Sequence, residues 1–204
     1  MSVVPPGMAE AIVEAGRRLD RFGWVPATAG NFSVRLDAGR LLVTVSGRHK
    51  GFLTPDDVMV VDLEGRSEDP GKRSSAETLL HCGIYRRFPE ARAVLHGHSV
   101  PGTVLSRLSG PGLRLAGYEL LKAFPGLGTH EAEVIVPVVE NDQDIARMQR
   151  GLDALWDGMG GIPPGYLIRG HGSYVWAPSM PQALARLEAL EFMLHCELEE
   201  RGSR

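Results

Sequence analysis

His96 and His98 stand two residues apart at the end of the apolar run Ala93-Val94-Leu95. A short apolar run of this kind predicts a buried strand. On a strand the side chains at i and i+2 point to one face, so the two imidazoles can reach one point. Imidazole is the commonest metal ligand. Two of them supply most of a catalytic zinc site, which has three protein ligands and one open position. The third ligand must come from elsewhere, and His171, between Gly170 and Gly172, is the best candidate. Such a site would let zinc act as a Lewis acid on a carbonyl. Taken alone, the pair also fits two unrelated histidines near a strand end, and a histidine in a turn needs no role.

A metal-polarised substrate needs a proton donor or acceptor nearby. Two glutamates qualify. Glu77 opens the helix before the histidine strand, though a carboxylate there also suits the positive end of the helix dipole. Glu119 stands among Gly117, Tyr118, Leu120 and Leu121. A carboxylate in apolar company tends to have a raised pKa, which suits a general acid; a solvated loop residue is the plainer reading. Three polar loops resemble the parts of an anion cradle. Asn31 follows Gly30, Ser46-Gly47 is followed closely by Lys50, and Ser74-Ser75 opens a helix. Backbone N–H groups at glycine turns and helix N-termini bind phosphate, and hydroxyls, an amide and an ammonium complete such a site. The combination points to a phosphorylated small molecule. Of the remaining histidines, His49, His130 and His195 carry no motif, and His81, one helical turn after Glu77, is expected to pair with it.

Periodicity predicts the elements that position these groups. Helices are expected over 8–21, 75–88, 100–108, 142–156 and 180–200, with Gly23 closing the first. Ser74 or Ser75 would cap the second, and Asn141 or Asp142 the fourth. Strands are expected over 32–36, 41–45, 58–63, 92–98, 133–139, 166–169 and 173–177. Residues 110–128 read as a Gly- and Pro-rich connection. Paired hairpins argue for a largely antiparallel or mixed sheet with helices on its faces, and the absence of regular βα alternation argues against a doubly wound parallel fold. The 204 residues, 43% hydrophobic, fit one domain over 1–204. A net charge of −3 without a basic stripe argues against nucleic acid, and no apolar stretch is long enough for a bilayer. Residues 1–7 lack a charged and an apolar leader region, so a cytoplasmic protein is expected. Cys82 and Cys196 are expected to be reduced thiols.

Five motifs, in this order, resemble the class II aldolase/adducin family: Thr28-Ala29-Gly30-Asn31-Phe32-Ser33, Val45-Ser46-Gly47, Ser74-Ser75-Ala76-Glu77, His96-Gly97-His98 and Gly170-His171-Gly172. The resemblance implies a three-layer α/β/α sandwich around a central, mostly antiparallel sheet. It implies one Zn2+ or another divalent ion per subunit on His96, His98 and His171. It further implies a ketose phosphate substrate, handled through a metal-held enediolate, and a homotetramer with active sites at subunit borders. Four other stretches, 117–122, 136–141, 171–176 and 187–192, are similar to a branch that removes water from a methylthio-substituted pentulose phosphate. That likeness implies that Glu119 is the catalytic acid/base, while Glu77 falls where the family's aldolases hold theirs. Asn31, Ser46, Gly47, Lys50, Ser74 and Ser75 would hold the phosphate, and Leu120, Phe124 and Tyr174 would line a pocket for the thioether. Sugar-phosphate aldolases and pentulose-phosphate epimerases share the metal motif, and adducin-type modules keep the fold without catalysis, so those readings stand beside the dehydratase.

Overall fold

The computed structural model describes residues 4–203; residues 1–3, which begin the N-terminal stretch read above, and residue 204 lie outside that range. Helix Met8–Arg21 (α1) leads into the hairpin Asn31–Arg35 (β1) and Arg40–Thr44 (β2), then Val58–Asp62 (β3) and Thr78–Arg87 (α2). Ala93–Gly97 (β4), Val100–Leu108 (α3), Gly112–Ala116 (β5), Glu133–Val139 (β6) and Ile145–Asp157 (α4) follow. Tyr166–Ile168 (β7), Gly172–Ala177 (β8) and Met180–Gly202 (α5) complete the described chain. The strands form one sheet in the order β3-β2-β1-β4-β8-β7-β6-β5. Every neighbouring pair is antiparallel except β6–β7.

Strand alternation sorts the apolar side chains onto two faces. Ala93 and Leu95 of β4 pack with Ile12, Leu105 and Leu190, which come from α1, α3 and α5. Val94 between them packs on the other face with Leu80 of α2 and Leu152 and Trp156 of α4. Burying each such large side chain contributes about 1.5–3 kcal/mol. Two cores against one sheet make the three-layer α/β/α sandwich that the resemblance implied. Among the described residues no helix is long and apolar enough to cross a membrane.

Several boundaries differ from the sequence expectation. Gly112–Ala116 is a strand where only a connection was expected. Leu113 and Leu115 alone turn fully inward, and so short an alternation beside glycine and proline carries little signal. Helix α2 starts at Thr78 rather than Ser75, because residues 75–80 first make a tight turn with i→i+3 bonds from Thr78 N to Ser75 O and from Leu80 N to Glu77 O. Neither Ser74 nor Ser75 caps it; the cap position falls to Glu77, whose side chain makes no cap bond. Helix α4 is capped by Asp144, which accepts from Arg147 N, and not by Asn141 or Asp142; Asp142 instead accepts from Asp144 N and pairs with Arg147. Strand β4 ends at Gly97, so His98 lies just beyond it, with its N–H donating to Trp24 O at 2.6 Å.

The antiparallel order brings the polar motifs to one end of the sheet. Asn31, the first residue of β1, pairs with His96 near the end of β4. Ser173 of β8 pairs with Gly97. The end of β2 and the start of α2 meet there through the Val45–Ser74 bridge.

Candidate active site

His171 reaches this end through a three-residue hairpin loop between β7 and β8. Gly170 takes a left-handed conformation there, φ 66°, the turn that such loops need. Gly172 must lack a side chain for a different reason: a Cβ would stand 2.1 Å from Gly97 O on the neighbouring strand. The Thr103 hydroxyl donates to His171 O at 3.0 Å and fixes the turn against α3. His96, His98 and His171 thereby present ligand nitrogens within 4.8 Å of one another.

The nitrogen set fits a divalent metal ion. His96 is fully buried, and its Nδ1–H donates to Ser173 O at 2.9 Å. That bond fixes the tautomer and leaves the Nε2 lone pair facing the triad, where it has no hydrogen-bond partner. A buried polar atom without a partner costs roughly 1–3 kcal/mol, a cost that ligation removes. Burial holds the pKa of His96 well below its ordinary value and lowers that of His98 to about 4, with the neighbouring His171 adding to the second shift. Both rings are therefore neutral at pH 7, as ligands must be.

Glu77 stands against this triad. Its Oε1 lies 3.0 Å from His171 Nε2, and its Oε2 lies 3.6 Å from His96 Nε2. The Asn31 amide donates to Oε2 at 2.7 Å. Burial alone would raise the pKa of Glu77, but the contact with His171 Nε2, the neighbouring His96 ring and the Asn31 amide outweigh it. They hold the carboxyl well below the usual range.

Asn31, Ser46, Gly47, Lys50 and Ser75 line one cavity of about 140 Å³, together with Glu77 and His98. The buried Lys50 ammonium donates to Thr28 O at 2.9 Å and Arg48 O at 2.6 Å, and burial lowers its pKa to about 8 against the pull of Glu77. Ser74 departs from the expectation. It lines a separate hollow with Arg73, Leu79 and Ile145, whereas Ser75 borders both spaces.

The family model for the class II aldolase and adducin N-terminal domain matches residues 10–198. The chain belongs to the class II aldolase/adducin family. It is 57% identical over 196 residues to a methylthioribulose-1-phosphate dehydratase of Gluconacetobacter diazotrophicus, covering 96% of this chain and 94% of that one. It is 53% identical to the protein of that name from Granulibacter bethesdensis, covering 98% and 95%. Among solved structures it is similar to an L-fuculose-1-phosphate aldolase from Thermus thermophilus, with a TM-score of 0.74, 28% identity and 95% of each chain covered. It shares its fold with a sugar-phosphate aldolase from Thermotoga maritima, with a TM-score of 0.67, 20% identity and coverage of 94% and 95%.

Glu119 lines neither of the two cavities beside the triad. It opens a short 3-10 turn, Glu119–Ala123, with its side chain 68% exposed. It pairs with Lys122, and His130 Nδ1 is 3.8 Å away. The expected raised pKa is corrected: Lys122 lowers it. The physical reason is direction. Leu121 turns into the core and Tyr118 packs against it, which leaves the carboxylate facing out. The expected thioether pocket is corrected likewise. Phe124 is buried in the core, Leu120 is partly exposed, and Tyr174 stacks behind His96 with ring centroids 4.1 Å apart. The open space beside the triad is a hollow of about 480 Å³, where His98 and His171 meet Pro26, Val100, Val104 and Asn141. Sequence reasoning missed these wall residues. Val100, 69% exposed, has only its place after His98-Ser99 to mark it.

Proposed function

We propose that this protein is a metal-dependent hydro-lyase that converts 5-methylthioribulose 1-phosphate to 2,3-diketo-5-methylthiopentyl 1-phosphate and water, a step of methionine salvage. The observation that carries the reading is the near-full-length identity of 57% to a methylthioribulose-1-phosphate dehydratase. The clustering of His96, His98, His171, Glu77 and Lys50 at one sheet end supports it. We assign one domain over residues 1–204, one Zn2+ per subunit on the three histidines, a homotetrameric assembly and a cytoplasmic location.

When bound, the ion supplies Lewis-acid polarisation of the substrate carbonyl and stabilises negative charge developing beside it. The rest falls to the chain. Lys50, the Ser46 and Ser75 hydroxyls, the Gly47 N–H and the second N–H of Asn31 hold the phosphate. Glu77, ionised and beside the triad, takes the C3 proton. Glu119 protonates the C4 hydroxyl, which leaves as water, and the C3–C4 enol ketonises to the diketone. Because Glu119 lines neither cavity beside the triad of its own chain, it acts across a subunit border, where burial by the neighbour would give it the protonated state a general acid needs. Val100, Val104 and Pro26 offer the methylthio group an apolar wall.

The test is an assay of purified, metal-analysed protein with 5-methylthioribulose 1-phosphate, following the diketone by absorbance and trapping triose phosphate. Diketone that disappears with His98→Ala and Glu119→Gln supports the reading. Triose phosphate would place the protein with the sugar-phosphate aldolases, a second reading that the likeness to the Thermus thermophilus aldolase favours. Neither product from metal-loaded protein would make the substrate wrong. Neither product from protein that binds no metal would favour a non-catalytic module.

A further inference from the structure

Behind Glu77 and Asn31 lie three buried polar side chains, Ser33, His81 and Tyr85, that the reaction above does not use. Glu77, His81 and Tyr85 are spaced i, i+4, i+8 along one face of α2. Asn31 and Ser33 are i, i+2 on the face of β1 that meets it. The two periodicities interleave into a zigzag. Asn31 Nδ2 donates to Glu77 Oε2 at 2.7 Å, and Asn31 Oδ1 faces His81 Nε2 within hydrogen-bond distance. Ser33 Oγ lies 2.7 Å from His81 Nδ1 and 3.0 Å from the Tyr85 hydroxyl. Asn31, Ser33, His81 and Tyr85 are each no more than 3% exposed.

Donor and acceptor counting fixes every proton in this row. Asn31 Nδ2 donates to Glu77 Oε2, so the amide oxygen faces His81. His81 Nε2 must then carry a proton. Burial lowers the His81 pKa to about 4 and raises that of Tyr85, so the imidazole is neutral and the phenol keeps its proton. A neutral imidazole protonated on Nε2 accepts at Nδ1, which claims the one Ser33 hydroxyl proton. Tyr85 O–H must therefore donate to Ser33. Arg35, whose guanidinium lies 4.8 Å over the Tyr85 ring and donates to Tyr85 O, anchors the far end.

We propose that His81, backed by Ser33 and Tyr85, is a positioning residue: it heads a one-directional hydrogen-bond chain that locks the Asn31 amide with its N–H toward Glu77. The chain deepens the reading in which Glu77 takes the substrate proton, and it rests on that reading for its effect on rate. Each link polarises the next toward the carboxylate. The lock holds Glu77 aimed between turnovers and keeps the second Asn31 N–H toward the phosphate cavity. A flipped amide would set its oxygen against the carboxylate and its nitrogen against the His81 N–H.

The first readout is the tautomer of His81 in zinc-loaded protein labelled with 15N-histidine, with the ring assigned by comparison with His81→Phe. The expected result is an Nε2–H tautomer that stays neutral from pH 5.5 to pH 9, with Ser33→Ala perturbing its Nδ1 shift. An Nδ1–H tautomer, or an imidazolium in that range, overturns the proposal. This readout needs no substrate, so it stands or falls apart from the assigned reaction. The second readout is kinetic. His81→Phe is expected to lower kcat about 10- to 100-fold, the usual effect of residues behind a metal site, with bound metal unchanged and KM raised by no more than about fivefold for the one Asn31 contact to phosphate. His81→Gln, whose amide can donate to Asn31 and accept from Ser33, should recover most of that loss. A fall in stability with kcat per bound metal unchanged would reduce His81 to a packing residue. Should His81→Phe fail to fold, Ser33→Ala with the wild-type protein carries both readouts, with kcat expected to drop roughly fivefold for one lost hydrogen bond.

Discussion

Glu77 and Glu119 are the two glutamates the sequence offers for proton transfer, and the fold gives them opposite surroundings. Glu77 sits where α2, β1 and β4 converge, with Asn31, His96 and His171 around it and its pKa held down by them despite burial. Glu119 sits on a 3-10 turn in the connection between β5 and β6, exposed, with Lys122 as its main partner. The first carboxylate is fixed by regular elements of its own chain. The second has surroundings that its own chain leaves open, so anything built on it must be completed by another molecule. A proton-transfer pair divided in this way would turn over only in an assembly that brings the two halves together.

Removal of the metal should have the largest effect. His98→Ala should abolish diketone formation and metal content together, a loss of several kcal/mol of transition-state stabilisation or about 10³-fold or more; metal analysis alongside the assay checks it. Glu77→Gln should come next, lowering kcat about 10²- to 10⁴-fold, the range for a general base, while the metal stays bound. Glu119→Gln should lower kcat about 10²-fold, at the lower end of that range, while the metal stays bound. Mixed oligomers of His98→Ala and Glu119→Gln chains then test the division directly. Renaturing the two inactive variants together should restore activity if Glu119 serves a neighbour's histidines. If both groups had to come from one chain, the mixture would stay inactive.

The same contrast explains what was legible before the structure. The histidine strand, the polar loops and the helix before His96 were readable because β-sheet and α-helix periods map sequence spacing onto faces. The end of the sheet where they meet follows from antiparallel pairing of β1, β4 and β8. The zigzag of Asn31 and Ser33 with Glu77, His81 and Tyr85 was also readable in principle, since both spacings obey those periods. Which helix face meets which strand face was the missing piece, and His81 was accordingly expected to pair with Glu77, which it reaches only through Asn31. The surroundings of Glu119, Leu120 and Phe124 were not legible for a different reason. A 3-10 turn has no long period, so nothing in the composition of residues 117–124 says which side chain turns inward. Apolar neighbours in sequence are not surroundings in space: Leu121 and Phe124 point away from the carboxylate into the core.

Lys50 sharpens the buried half of the comparison through pH. Burial lowers its folded pKa from 10.5 to about 8. Below pH 8 both the folded and the unfolded chain hold this proton, and the full penalty for burying the charge is present. Between about pH 8 and pH 10.5 the unfolded chain still holds a proton that the folded chain has released, so this group makes stability rise with pH, levelling off above pH 10.5. The stability of wild type minus that of Lys50→Met should therefore climb through that window in urea titrations. A flat difference would mean that the ammonium is better solvated than its 2% exposure implies. In the assay, Lys50→Met should raise KM at least about tenfold, the effect of losing one charge-assisted hydrogen bond to phosphate. Wild-type KM should itself rise above pH 8 as the ammonium loses its proton.

The smallest effect separates two adjacent serines. Ser75 lines the cavity with Lys50 and Glu77, while Ser74 faces the hollow beside Leu79 and Ile145. A neutral hydrogen bond to phosphate is worth roughly 1 kcal/mol, so Ser75→Ala should raise KM about fivefold. Ser74→Ala should leave KM unchanged, because the backbone bridge from Val45 to Ser74 that holds the segment in place needs no side chain. Equal effects from the two would mean that residues 73–75 rotate when phosphate binds. The cradle would then belong with the 117–124 segment among the parts of the site completed only on binding, and not with the preset surroundings of Glu77.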